Sequence, residues 1–467
     1  VPDDTDFGTI TQQHPIRHRR WLLIAIALGV LLNPLNSSMI SVALNRLEHA
    51  FQLNFTSASW LISTYYLASA IAQPVMGKLA DTFGRKRVFL AGLLLVAVSS
   101  ASAPFAPSFT WLIVLRLIQS FGSGAIYPAG MGIVRKYITD GQAQSLAFLA
   151  VFSSGAAAFG PSIGGLLMHW GDWPTIFWIN FPFILGSFTL GVCMLPNDGR
   201  RGTGERTPLR EALQQLDLEG ITLFTLSIVL SLVFLLSVTD HPLWWAAGAA
   251  VLAIAAFVWR ELTAHTPFIN LRMFRQNPAF AWVLIQFVTV NTIFYSIFFG
   301  MPTYLQEVRH FTPQDTGLIM LCVAGFGVII APIAGRWVAA SGSRPPLLLA
   351  GLCMTVGSSL FLVLRAHAPV WWLCVNLSIL GLSNGFNNVG LQTALFQVTP
   401  QQIISAASGL FQTSRYMGTI LSTLLLGVLF GNHLNTAEVH SLGGVLTLLG
   451  LCVLWMSWRI PKKRLGT

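Results

Sequence analysis

The chain has 467 residues, of which 54% are hydrophobic and only 9% charged, where soluble globular proteins carry about 25% charged side chains. That balance excludes an ordinary soluble domain and predicts an all-α integral membrane protein, because helices satisfy their own backbone groups in lipid. A net charge of +10 invites a nucleic-acid reading, but the cations sit in short runs between apolar stretches, read as topology signals, and imply no nucleic-acid partner.

In chain order, residues 1–20 read as a cytoplasmic tail whose acidic, polar opening Val1–Gln13 is disordered. A bilayer crossing needs about 20 mostly apolar residues. Trp21–Asn45 contains no Asp, Glu, Lys or Arg and is too long for a signal-peptide core, so it predicts a retained first span. Asn33, Asn36, Ser37 and Ser41 form a polar stripe on it.

The second span ends in Gly77-Lys78-Leu79-Ala80-Asp81-Thr82-Phe83-Gly84-Arg85-Lys86-Arg87. Its two glycines permit close helix approach and a sharp reversal, and its three consecutive cations hold the loop in the cytoplasm.

In span four, Arg116, Gln119, Ser120, Ser123 and Tyr127 share one helix face. An arginine deep in a span costs roughly 2.5–3.5 kcal/mol and must meet a partner or a wet cavity. Arg116 reads either as a packing residue near the membrane edge or as a cavity cation that binds solute or relays protons. The default for intramembrane ionisable residues favours the second. Span five carries Gly155, Gly160-Pro161 and Gly164-Gly165, which predict a kinked, flexible helix. Span six carries Trp178-Ile179-Asn180 with Pro182. Residues 21–195 thus form one six-span bundle.

A linker rich in Gly, Pro and charge follows at 196–216, then two further spans at 217–260, a loop at 261–277, a second six-span bundle at 278–459 and a tail at 460–467. Gly335 and Gly342 repeat the spacing of Gly77 and Gly84, so span ten corresponds to span two, and spans seven and eight are an insertion. The expected architecture is fourteen transmembrane helices arranged as 6 + 2 + 6, with the halves related by an axis along the membrane normal. Ala339 stands in the second copy where Asp81 stands in the first. Of the 27 Lys and Arg, Arg46, Arg309 and Arg365 fall on the opposite side and Arg116 and Arg415 within spans. The rest place both termini in the cytoplasm.

The second bundle places Gln286, Asn291 and Tyr295 on span nine, Asn384, Asn388 and Gln392 on span twelve with Asn387 beside them, and Gln412 and Arg415 on span thirteen. Each serves equally well as helix-to-helix glue, but together they predict a wet cavity between the halves. Trp60, Tyr65, Phe152, Phe294, Tyr295 and Phe298 offer it an apolar wall. The predicted solute contacts are Asn33, Asn36, Arg116, Gln119, Gln286, Asn291, Tyr295, Asn384, Asn388, Gln412 and Arg415.

The 77–87 loop, the Arg116 and Gly160-Pro161 motifs in succession, Trp178-Ile179-Asn180, and Arg415 with Gly418 together resemble the major facilitator superfamily, and within it the fourteen-span drug:proton antiporter family, over essentially the whole chain. The resemblance implies a monomeric alternating-access transporter in a plasma membrane, the inner membrane of a bacterium, which exports varied small organic compounds against protons. It implies no cofactor and no enzymatic activity. Gly381-Leu382-Ser383-Asn384-Gly385 has hydrolase-elbow spacing but lies inside a span, and no phosphate-binding loop occurs. The five cysteines are scattered singly and favour neither a metal site nor a disulfide.

One departure from that family matters. Its span-one aspartate pattern reads here Leu35-Asn36-Ser37-Ser38-Met39-Ile40-Ser41-Val42-Ala43-Leu44, with Asn36 for the acid, and all seventeen Asp and Glu and all ten His fall away from span centres. Proton coupling then runs through Asp81 at the loop, with Arg85, Arg116, Gly160 and Pro161 as coupling or gating residues, or is absent. Asp81 reads more simply as a latch that pairs with nearby cations or a helix N-terminus. A cavity with two arginines and many amides favours neutral, zwitterionic or anionic solutes, so the second reading is an exporter or facilitator of organic anions or metabolites without the proton step. A third is a membrane sensor or scaffold that moves nothing.

Overall fold

The computed structural model describes residues 19–52, 55–138, 140–196, 217–237, 243–264, 267–269, 271–272, 277–311, 313–430 and 435–460. The predicted N-terminal tail, the 196–216 linker beyond its first residue and the C-terminal tail beyond residue 460 lie outside them. Among the described residues all regular structure is helical.

The first bundle contains α1 (Arg19–Val30), α2 (Leu32–Phe51), α3 (Phe55–Phe83), α4 (Arg85–Ser102), α5 (Phe109–Tyr137), α6 (Gln142–Gly171), α7 (Thr175–Trp178) and α8 (Asn180–Met194). Next come α9 (Leu218–Ser237) and α10 (Trp244–Thr263). The second bundle contains α11 (Pro278–Glu307), α12 (Pro313–Ser341), α13 (Arg344–Leu360), α14 (Val370–Val398), α15 (Ile404–Phe430) and α16 (Thr436–Arg459). Among the described residues, ten helical stretches are long and apolar enough to cross a membrane. Large apolar side chains on the outside, such as Val98, Leu185 and Leu252, find a solvent only in lipid, since monomeric soluble proteins rarely expose such continuous patches.

Two breaks follow from proline. The turn at Leu31 between α1 and α2 precedes Pro34, and that between α7 and α8 at Ile179 precedes Pro182. Each ring removes one N–H from the helical ladder and crowds the carbonyl four residues back. Helix α6, where a kink is predicted, runs unbroken through residues 160 and 161. Gly160 there approaches Ser38 of α2, and the side chain of Pro161 lies outside the described residues.

Each bundle has its own core. Leu22, Ile26, Phe89, Leu93, Val96 and Val134 pack in the first, and Phe280, Phe287, Leu347, Met354, Leu377 and Leu446 in the second. The bundles meet along two seams. On one, α3 lies against α15; on the other, α6 lies against α12, where Ala143 and Ala147 meet Ala331, Ala334 and Val338. Both motif copies shape these seams. A Cβ on Gly77 would stand 2.5 Å from the Ser405 carbonyl oxygen, and one on Gly335 would stand 2.6 Å from the Ala147 Cβ. The second glycine of each copy makes the predicted reversal, with φ of 104° at Gly84 and 81° at Gly342. Helix α10 runs on through Glu261 to Thr263, past the sequence-drawn boundary at 260.

Candidate functional site: a polar core closed by a charged latch

The latch is built at the end of α3. Asp81 accepts hydrogen bonds from Arg85 Nη2 at 3.0 Å and Nε at 3.2 Å through Oδ1, and from the Ala406 backbone N–H at 2.9 Å through Oδ2. Ala406 lies in the first turn of α15, where orphan N–H groups and the helix dipole both favour an anion. Arg85 also donates to the carbonyls of Gly132 at 2.8 Å and Gln401 at 2.8 Å. One carboxylate and one guanidinium thus tie α3, α4, α5 and the start of α15 together, and Asp81 pairs with both a nearby cation and a helix N-terminus.

Two to three helical turns back along α3, the same seam becomes polar. Thr413 donates to the Ala70 carbonyl at 2.7 Å, and Gln73 Nε2 to the Tyr416 hydroxyl at 3.1 Å. Tyr416 in turn donates to Asn33 Oδ1 at 3.1 Å, and Asn33 Nδ2 donates to Ser123 Oγ at 3.1 Å. The Tyr416 ring lies 5.9 Å from that of Tyr66, and Tyr66 lies 6.3 Å from Tyr65. Asn33 therefore bridges the bundles through a tyrosine on α15.

Arg116 and Asn36 belong to a deeper network inside the first bundle. Arg116 is buried, its Nη1 donates to Gln119 Oε1 at 2.6 Å, and its guanidinium stacks 4.1 Å from the Tyr65 ring centroid. Gln119 Nε2 donates to Ser100 Oγ at 2.9 Å and to Asn36 Oδ1 at 3.3 Å; Asn180 Nδ2 reaches the same Asn36 oxygen at 2.9 Å. Asn36 Nδ2 donates to the Leu32 carbonyl at 2.8 Å. Asn36 thus has a donor and an acceptor in use at once, which a carboxylate at this position would not supply. Arg116 Nε and Nη2 have no hydrogen-bond partner among the described residues.

A second polar group lines a cavity of about 40 Å³ between the bundles, bounded by Val30, Tyr127, Met131, Leu146, Ser153, Asn388, Gln392, Phe411 and Arg415. Its size suits a few waters. Arg415 Nη2 donates to Asn388 Oδ1 at 3.3 Å, Asn388 Nδ2 to Asn384 Oδ1 at 3.0 Å, and the Tyr127 hydroxyl to Gln392 Oε1 at 2.7 Å. Arg415 also lies 5.7 Å over the Phe287 ring. None of the described acidic side chains joins either polar group.

The predicted contacts divide accordingly. Asn33, Asn388 and Arg415 meet at or beside the gap between the bundles, with Asn384 next to them. Asn36, Arg116 and Gln119 form the buried relay. Gln412 is buried with Oε1 unpartnered among the described residues. Tyr295 packs among Phe294, Phe298 and Phe299. Two residues turn elsewhere. Gln286 is fully buried and donates to Ser457 of α16 at 2.7 Å, away from the gap, and Asn291 donates to the Phe287 carbonyl of its own helix at 2.7 Å. Helical period alone does not separate such amides from those that face the gap. Of the aromatic wall, the Trp60 side chain lies outside the described residues. Sequence reasoning passed over Tyr66, Tyr416 and Ser100, whose residue types carry no signal until the fold gathers them.

A family profile described as Major Facilitator Superfamily matches residues 26–423 and 310–465. The uncharacterized MFS-type transporter YwoD of Bacillus subtilis is 45% identical over 95% of this chain and 97% of its own. The tetracenomycin C resistance and export protein of Streptomyces glaucescens is 28% identical over 90% of this chain and 78% of its own. The multidrug efflux pump LfrA of Mycolicibacterium smegmatis is 27% identical over 88% and 81%. Among solved structures, the proton:xylose symporter XylE superposes with a TM-score of 0.65 at 13% identity, over 95% of this chain and 96% of that one, a likeness of fold.

Proposed function

This chain belongs to the Major Facilitator Superfamily, and from that membership and the geometry above we propose that it exports small organic compounds across a bacterial inner membrane by alternating access. Membership makes it a membrane transporter; the direction, solute class and drive are the proposal. The fourteen-span, 6 + 2 + 6 reading goes with it: α1–α2 and α7–α8 each count as one span, and α9–α10 are the inserted pair. Both termini are then cytoplasmic, and the Asp81 latch closes the cytoplasmic end.

The observation that carries the reading is the seam between α3 and α15. It holds polar side chains of both bundles in its middle, through Asn33, Tyr416 and Gln73, and a charged clasp at one end, through Asp81, Arg85 and Ala406. A permanent interface has little use for buried, mutually replaceable polar contacts; a surface that must separate and become wet does. The relatives named for tetracenomycin C export and multidrug efflux support organic compounds as cargo.

Proton exchange is the proposed drive. One proton moved down 100 mV supplies roughly 2.3 kcal/mol, about a 50-fold gradient of a neutral solute. The test is proton movement in proteoliposomes on adding cationic and anionic solutes in turn, with Asp81→Asn beside the parent. Solute-driven proton release supports antiport, and solute flux without it refutes the drive.

One observation favours the second reading, a transporter of organic anions without the proton step. Arg415 and Arg116 have no carboxylate partner among the described residues, and Asn36 offers an amide where the related pattern has an acid. Preferential flux of anionic solutes in the same vesicles, without proton release, establishes it.

A further inference from the structure

The inserted pair α9–α10 ends in a charged group that the transport reading leaves unused. Glu261, in the last turn of α10, is 0% exposed. Its Oε2 accepts the Ile269 N–H at 2.9 Å, while Oε1 has no hydrogen-bond partner among the described residues. Asp217, immediately before α9, is also buried. Its Oδ1 accepts the Gly220 N–H at 3.1 Å and Arg260 Nη2 at 2.9 Å, and its Oδ2 accepts the Phe268 N–H at 3.2 Å. Asp217 Oδ2 and Glu261 Oε1 each lie 2.5 Å from the point a Cβ on Gly220 would occupy, so they stand within about 5 Å of each other, close enough for the charge of one carboxylate to oppose that of the other.

The charges facing this pair come from three helices. Lys78 projects from α3, Arg260 from α10 and Glu219 from α9, where Arg260 Nε donates to Glu219 at 2.9 Å; Asp81 lies beyond Lys78. Two anionic carboxyls shut from water repel each other. A proton on one relieves the repulsion and gives the idle Oε1 a donor to use.

The turn held by both carboxylates also grips the latch helices. Lys78 Nζ donates to the Pro267 carbonyl at 3.0 Å, one turn before Asp81 on α3. Phe268 and Ile269 are buried with Phe224 and Phe257, against Val75 of α3 and Leu410 of α15. A change of charge at Glu261 and Asp217 therefore acts on a turn that touches both sides of the seam.

We propose that Glu261 and Asp217 form a proton-binding pair whose occupancy sets how firmly the 267–269 turn holds the α3–α15 seam closed. This rests on the reading of that seam as a gate, and on nothing about what the protein carries. The unprotonated pair supplies the counter-charge that keeps Lys78 and the turn in place. Protonation removes part of it, so acid on the latch side loosens the seam.

The experiment uses the full chain in lipid nanodiscs with two readouts. Infrared difference spectra follow the protonated-carboxyl C=O band against pH. Spin labels at Arg87→Cys and Gln401→Cys, in a background without the native cysteines, follow the distance across the seam. The expected result is a band that grows on acidification and vanishes in Glu261→Gln, with a distance distribution that widens in acid for the parent and ignores pH in the variant. Should Glu261→Gln fail to fold, Asp217→Asn carries the same readouts. An unchanged band and an unchanged pH response in a folded variant overturn the proposal. Widening driven by sodium at constant pH, and abolished by Glu261→Gln, overturns it in favour of a metal-cation site. A Glu261 band with a pH-independent distance overturns the link to the seam; if Asp81→Asn then also leaves that distance unchanged, the fault lies in the gate reading itself.

Discussion

Asp81→Asn keeps the shape of the side chain and removes its charge. In the parent, Asp81 receives three donors, two from Arg85 and one from the Ala406 N–H, and the Asp81 and Arg85 side chains are only 9% and 10% exposed. Hydrogen bonds to a charged group are worth about 1.5–3 kcal/mol each, against about 0.5–1.5 for neutral ones. Asparagine can still accept through its single oxygen, but its NH2 meets either the Arg85 guanidinium or the Ala406 N–H, both donors. Arg85 lies in the same bundle as Asp81, so the loss that bears on the seam is the one charged bond to the Ala406 N–H, roughly 1.5–3 kcal/mol, made only in the closed state. The ratio of open to closed molecules should therefore rise about 10- to 150-fold. Double electron–electron resonance between labels on either side of the α3–α15 seam reads that ratio, as does the rate at which a cysteine on α15 takes up an aqueous maleimide from the latch side. A closed population equal to the parent's, in a folded variant, would show that Asp81 does not hold the seam.

Three other outcomes follow from the geometry. Gly77→Ala places a methyl 2.5 Å from the Ser405 carbonyl oxygen and 2.9 Å from the Ala406 Cα; backbone cannot yield, so overpacking of about 1–3 kcal/mol should open the same seam, visible as a longer distance across it. Arg116→Ala should abolish solute flux in vesicles with membrane insertion intact, and Arg116→Lys should restore little, because a lysine cannot both stack on Tyr65 and reach Gln119 as a planar fork; flux at the parent's rate in Arg116→Ala would remove it from the mechanism. Arg415→Gln leaves an amide able to reach Asn388 but removes the cavity's charge, so binding of anionic test solutes should weaken about tenfold or more while neutral ones change little; isothermal titration on the purified protein separates the two.

Much of this architecture could be read from residue order, because lipid imposes one strong rule. Apolar runs of crossing length must be helices, and Gly77 and Gly335, which open two loops of one spacing, each stand at one of the two seams. The Asp81–Arg85 pairing was legible too, since a carboxylate one turn from an arginine at the end of a span has few places to go. The polar interior was less so. Gln286 and Asn33 are both amides near the start of a bundle, yet one meets Ser457 of α16 within its own bundle and the other a tyrosine across the gap. Helical period assigns a face but not the neighbour that the face meets. The Glu261–Asp217 pair was hidden for a related reason. The two residues lie 44 positions apart at what sequence reads as loop edges, and only the hairpin of α9 on α10 brings them to one glycine.

The two seams differ in kind. Where α3 meets α15, a carboxylate caps a helix; where α6 meets α12, Ala339 stands in the corresponding place and the contact is alanine against alanine. A surface of small apolar side chains slides and rocks at nearly constant energy and answers neither to salt nor to acid. In the alternating-access reading proposed above it is the bearing on which the halves turn, while salt and acid act at the opposite edge, as a door is worked from its handle and never from its hinge.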